Sequence, residues 1–275
     1  MKQECLKWMD LKTKYKLRST SKTERRVVNS QKFYIHVIRL NIGNPITLSI
    51  CPNHTVGIVT DEIYVNFQEE DIMPTIVPLL SFIFTNARIR SLYCTNTANW
   101  ETPRFFTHLE GRGYQIRMLR GLYPPSFLEK FALNSIERMV YDVESLDSDE
   151  LFKHPVIDGV RFFTICCLNC SISECIKVGQ KWTDNDVEIG SRIETINDQY
   201  QQIDDYIEAV KAQGWKIVNI AGKTLQIETK NRKKHLLLRV LQDTEIRIHY
   251  KEGTIIFIVV PADIQHNDYE KYVGS

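Results

Sequence analysis

Hydrophobic positions fall into several rhythms along the chain, and each rhythm predicts a different kind of element. Over residues 4–29, Leu6 pairs with Met9 at a spacing of three and Leu11 with Tyr15 at a spacing of four. Such spacings put side chains on one helix face, so two or three short helices are expected there. Ser21-Lys-Thr-Glu24 fits a capping box, in which hydroxyl and carboxylate satisfy orphan N–H groups at a helix start. From Phe33 the period drops to two. Phe33–Ile42, Ile46–Cys51, Thr55–Val59 and Ile63–Phe67 read as strands, with Gly43-Asn44-Pro45 and Pro52-Asn53 as turns. A small antiparallel meander follows from this pattern.

Beyond residue 74 helical and strand signals alternate. Helices are expected over Ile76–Phe84, Ser126–Leu133, Leu146–Phe152, Ser171–Trp182 and Tyr200–Gln213. Strands are expected over Ile89–Cys94, Ile136–Val143, Val160–Leu168 and Ile189–Ile196. The last three begin roughly 24–30 residues apart, near the repeat of strand-plus-helix solenoids. They lack a dense leucine signature, so the expectation is of irregular, LRR-like units. Residues 95–125 show little regular pattern and read as a long loop. Five closely spaced strands then follow: Trp215–Ile220, Thr224–Thr229, His235–Leu241, Glu245–Tyr250 and Thr254–Val260. Short turns join them, which predicts a C-terminal antiparallel sheet. Gln265–Ser275 reads as a polar, frayed tail.

The expected fold class is therefore α+β. Its segments are N-terminal helices (1–30), a β meander (31–70), a strand–helix body (71–213), a terminal sheet (214–264) and a tail (265–275). Composition leaves this picture in place: 43% hydrophobic and 25% charged residues are ordinary for a folded protein. No apolar run is long enough for a bilayer span, and residues 1–40 lack the apolar centre of a signal peptide. An intracellular place, cytoplasmic or nuclear, is expected, with no membrane partner.

Charge changes the picture more. The net charge is +1, but residues 1–40 hold 11 Lys+Arg against 3 Asp+Glu. Such asymmetry marks a distinct N-terminal module. Phosphate contacts by this module or by Lys230–His235 are conceivable. The second stretch fits a hairpin turn equally well, so nucleic acid is the disfavoured partner.

Candidate chemistry is sparse. Seven cysteines include Cys166, Cys167, Cys170 and Cys175, with His154 nearby in sequence. Zinc asks for two spaced ligand pairs, and only Cys167-x-x-Cys170 has the spacing of one. These cysteines are expected to pack as small hydrophobes, with no metal and no cofactor. No nucleophile elbow, phosphate-binding glycine loop or opposed carboxylate pair is present. Asp204-Asp205 and Asp147–Glu150 read as solvated helix faces or caps. No catalytic residue is expected. Aromatic and arginine residues crowd the 95–125 stretch, and such composition marks protein-binding hot spots. Trp100, Arg104, Phe105, Phe106 and Tyr114 are the candidate target-binding residues, the alternative being aromatics packed on the core.

One stretch carries a family resemblance. Met9, Asp10, Leu11, Leu17, Arg18, Ser21, Lys22, Arg25, Val27 and Val28 stand where the second half of an F-box has its recurring residues. Gln31–Ile38, Leu48–Gly57 and Val187–Glu194 resemble segments of the nematode F-box-associated proteins, the F-box C type in particular. The F-box so matched is truncated, lacking the Leu-Pro start and first helix. The resemblance implies a substrate-recognition subunit of a cullin-type ubiquitin ligase that bridges a Skp-type adaptor and a protein target. Leu6, Met9, Leu11, Tyr15 and Leu17 would dock the adaptor. Two alternatives stand beside it: a protein-interaction scaffold with a decayed F-box, and a nucleic-acid-binding module led by the basic N-terminus. None of the three makes the chain an enzyme.

Overall fold

The computed structural model describes residues 11–18, 20–29, 33–42, 46–51, 63–67, 72–96, 104–167, 170–196, 202–241 and 254–273. Leu6, Met9, Trp100 and the strands expected at Thr55–Val59 and Glu245–Tyr250 lie outside the described residues. The chain is a mixed α/β protein that divides into two compact units, 1–135 and 136–275.

The first unit opens with two short helices, α1 (Leu11–Arg18) and α2 (Lys22–Asn29). The expected cap is present: the Glu24 N–H donates to Ser21 Oγ at 3.1 Å. Val28 is buried. Helix α3 (Val77–Asn86) follows a single π turn, with Pro78 near its start where no N–H is needed. The Arg18 guanidinium lies 5.1 Å over the Phe82 ring, so α1 packs on α3.

Five strands make the sheet of this unit: β1 (Phe33–Ile42), β2 (Ile46–Cys51), β3 (Ile63–Phe67), β4 (Ala87–Asn96) and β5 (Gln115–Gly121), ordered β3-β2-β1-β4-β5. The β1-β2-β3 pairing is antiparallel, as the meander requires. In contrast, β1, β4 and β5 run parallel. Strands that segregate from helices, the α+β expectation, would pair with their sequence neighbours. Here α3 lies between β3 and β4 in the chain, and a parallel return requires such a crossover.

Strand β5 corrects the reading of 95–125 as a long loop. Its neighbouring aromatics fold inward instead of facing a target. Phe106 and Phe127 rings lie 4.5 Å apart, Phe127 and Phe131 4.9 Å, and Phe84 and Tyr114 5.2 Å. All five are buried, and fully burying an aromatic ring of this size stabilises the fold by about 1.5–3 kcal/mol. Burial also pushes the Tyr114 hydroxyl up to about 12, helped by the Glu110 charge. The end of β5 is held by a backbone contact. The Leu122 N–H donates to the Cys94 carbonyl at 3.1 Å, and Gly121, at φ +119°, lies so close that a Cβ would sit 1.6 Å from the same oxygen.

In the second unit the order is β6-β7-β8-β12-β11-β10-β9. Strands β6 (Arg138–Val143), β7 (Phe162–Cys167) and β8 (Arg192–Ile196) run parallel, and the rest pair antiparallel. Helices α4 (Ser148–Leu151) and α5 (Ile172–Asp184) connect the parallel strands. Helix α5 begins as its sequence dictates, the Glu174 N–H donating to Ser171 Oγ at 3.2 Å. Gly179 on α5 meets Phe257, whose ring carbons would lie 2.8 Å from a Cβ. Helix α6 (Ile203–Ala212) leads into β9 (Ile217–Ala221), β10 (Thr224–Glu228) and β11 (Lys234–Val240), the expected terminal hairpins. Strand β12 (Ile255–Pro261) is buried from Ile255 through Val260 and therefore reads as one unbroken apolar run.

The frayed tail is also corrected. A short helix, α7 (Tyr269–Val273), ends the described chain, and Tyr269 is buried against Leu237, Ile256, Ile258 and Val260. Among the described residues no helix is long and apolar enough to cross a membrane.

Candidate binding cleft

Parallel pairing in the first unit builds ranks of side chains that are remote in sequence. Tyr34 is level with Arg88, and Arg88 with Gln115. Ile35, Ile89 and Ile116 form the next rank, pointing to the opposite face, where all three are buried. Ser91 is level with Val37 and Met118. Between these ranks Arg90 must stand level with Arg117. One face thus carries Tyr34, Arg88, Arg90, Gln115 and Arg117 together at the N-terminal ends of three strands.

A turn closes this patch into a cleft. The Ala132 N–H donates to the Tyr114 carbonyl at 2.9 Å, which fixes residues 131–135 beside β5. Asn134 takes a left-handed φ of 57°, the conformation that asparagine tolerates best after glycine. The turn leaves Leu133 68% exposed, and Tyr34 on the strand is 57% exposed. The cleft is open to solvent, with a volume of about 420 Å³. Among the described residues its lining holds three arginines and no carboxylate. Arg88 and Arg90 make no salt bridge with a described residue. Ser135 also borders the cleft, but its hydroxyl oxygen is buried beneath the surface.

Other candidates offer less. A cavity of about 340 Å³ in the second unit is lined by Trp215, Lys216, Glu228 and Lys230. Its charges already neutralise one another, Lys216 with Glu228 at 2.7 Å and Lys230 with Asp184 at 2.8 Å. The thiols are packed together: Cys167, Cys170 and Cys175 are buried, and the last two sulfurs lie 3.4 Å apart. Cys170 precedes the Ser171 cap and Cys175 follows Glu174, so the pair occupies the two positions that clamp a helix entrance. Hydrogen bonds with Cys167 and Cys175, together with burial, push the Cys170 thiol up. A group held as neutral thiol is a poor nucleophile and a poor metal ligand. Among the described residues no three His, Cys, Asp or Glu side chains converge as a metal site, and His154 is buried apart.

The residues singled out from sequence fare unevenly. Leu11, Tyr15 and Leu17 fall on α1, where Leu17 is half-buried. Arg104 and Phe105 lie in a 3-10 turn, Arg104–His108. Phe106 and Tyr114 are fully buried and pack the aromatic core, so they present no surface to a target. Tyr34, Arg88, Arg90 and Leu133 were not singled out. Alternation of arginine with isoleucine and serine over 88–91 was the available signal, since it marks a strand with one charged face. Compared with known families, curated proteins and solved structures, the chain matches no family model, no curated protein and no solved structure.

Proposed function

We propose that this protein is a non-catalytic recognition subunit that holds a protein target in the cleft of its first unit. The observation that carries this reading is the cleft itself: exposed Tyr34 and Leu133 beside unneutralised Arg88 and Arg90. Aromatic and arginine side chains at a concave surface are the composition of binding hot spots. The described lining of arginine, glutamine, tyrosine and leucine side chains has the chemistry of holding.

The finer reading is a substrate receptor of a cullin-type ubiquitin ligase. It rests on the F-box-like sequence of residues 6–28, where the described part from Leu11 onward forms two short helices. In this reading Leu6, Met9, Leu11, Tyr15 and Leu17 dock a Skp-type adaptor, and the strand–helix units of 136–196 act as an LRR-like body. Positioning the target near a ligase is the whole contribution.

A pull-down of the purified chain with a Skp-type adaptor tests the ligase link. Binding that is lost in the Leu11→Ala/Leu17→Ala variant, with circular dichroism unchanged, supports it. Failure of the parent chain to bind leaves a recognition scaffold with a decayed F-box.

A further inference from the structure

The chemistry of the cleft specifies a class of ligand. We infer that it takes an extended acidic peptide, with two carboxylates two residues apart on Arg88 and Arg90 and an apolar side chain against Leu133 or Tyr34. This inference rests on the reading of the chain as a protein-binding subunit and adds the identity of what is bound.

Two relationships support it. The first is spacing. Arg88 and Arg90 project from the same face of β4 and so stand about 6.6 Å apart along the strand. An extended peptide repeats its own side chains at that same interval, so carboxylates at positions i and i+2 meet both guanidinium groups in one pose. Guanidinium and carboxylate pair through two parallel hydrogen bonds, a geometry that lysine does not offer.

The second is charge. Arg88 and Arg90 make no salt bridge with a described residue, and among the described residues the lining supplies no carboxylate. A carboxylate seated on each guanidinium makes a charge-assisted pair that the described residues do not supply.

The apolar rim separates peptide from nucleic acid. Leu133 is aliphatic and has no π face for stacking, and among the described residues Tyr34 is the one exposed ring in the lining. Single-stranded nucleic acid is held by successive aromatic platforms along a basic groove. A leucine or phenylalanine side chain suits this rim better than a base.

Fluorescence anisotropy on the full chain tests the inference. The probes are a fluorescein-labelled Gly-Ser-Glu-Ser-Glu-Ser-Leu-Ser-Gly peptide, its isomer with adjacent glutamates, its lysine counterpart and a ten-nucleotide thymidine strand. The first peptide is expected to bind about tenfold tighter than the other three, the difference that one lost charged pair makes. The Arg88→Gln/Arg90→Gln variant loses about tenfold or more of that affinity while its thermal midpoint stays put, because both side chains are exposed. Leu133→Ala weakens binding as well. Equal binding of the lysine peptide, tighter binding of the thymidine strand, or unchanged affinity in the double arginine variant overturns it. The adaptor pull-down is scored separately, so its failure removes the ligase link and leaves this result standing.

Discussion

The Tyr269 hydroxyl donates to Gln226 Oε1 at 2.6 Å, joining the last described helix to the second strand of the terminal sheet. Gln226 in turn meets His235 Nδ1 at 2.8 Å, and Asn219 Nδ2 donates to the tyrosine oxygen at 3.3 Å. Four side chains from α7, β9, β10 and β11 thus share one hydrogen-bonded chain. Removing the central hydroxyl strands a buried acceptor. Tyr269→Phe is expected to lower stability by about 1–3 kcal/mol, read as a shift in urea midpoint at constant slope. An unchanged midpoint would mean that water satisfies Gln226 and that α7 is not anchored as described.

The same chain makes stability sensitive to acid. Burial lowers the pKa of His235, opposed by Glu228 and aided by Lys216. The folded state therefore holds His235 neutral where the unfolded chain, titrating near 6.5, takes up a proton. Stability from this group is complete above about pH 6.5 and is lost as pH falls toward the lowered folded value. Denaturation at pH 7.5 and 5.5 should show the parent weakening more than His235→Gln. Parallel curves for the two proteins would assign the acid sensitivity elsewhere.

A second charged pair is more deeply placed. Arg192 Nη2 lies 2.6 Å from Glu194 Oε1, two residues along β8, and both side chains are largely buried. Breaking such a pair takes the nearest opposite charge from a largely buried group, at a cost of about 3–5 kcal/mol. Glu194→Gln is expected to fall in that range, and Arg192→Met/Glu194→Leu to lose less than the single change. A double variant worse than the single would show that the pair contributes through other partners.

Gly121 admits no side chain. With a Cβ only 1.6 Å from the Cys94 carbonyl oxygen and φ at +119°, Gly121→Ala forces β5 away from β4. Loss of the near-ultraviolet dichroism from the Phe84, Tyr114 and Phe127 cluster is expected, with the second unit's signal retained. A Gly121→Ala protein of parental stability would contradict the close approach.

Local features were legible in the sequence, and distant pairings were not. The Ser21 cap follows from side-chain spacing within four residues, where hydrogen bonding is decided by neighbours. The β9-β10-β11 hairpins follow from turn residues such as Ala221-Gly222-Lys223. Strand β5 escaped because glycines 111 and 113 and the surrounding aromatics have the look of a loop. Those aromatics are core because the segment doubles back, Tyr114 bridging to Phe131. Helix α7 escaped because a five-residue helix has too little propensity of its own, and it is held by tertiary contacts of Tyr269. The cleft was least legible of all. Its arginines come together only when β4 and β5 pair in parallel register, and no local rule specifies a register between strands 27 positions apart.

The parallel pairing of β1 with β4 has a consequence for how the chain reaches this fold. Phe33 comes level with Ala87, 54 positions later, so closing that loop costs about 3–4 kcal/mol of chain entropy before any contact forms. Folding of the first unit should accordingly be slow for its size. At about 5–20 residues per second, a ribosome exposes β1 for several seconds before β4 emerges. Strands β2 and β3 appear in that interval and fill the opposite edge of β1 first. The meander thus shields a waiting strand from chance pairing with other nascent chains, and leaves open only the edge that β4 will take.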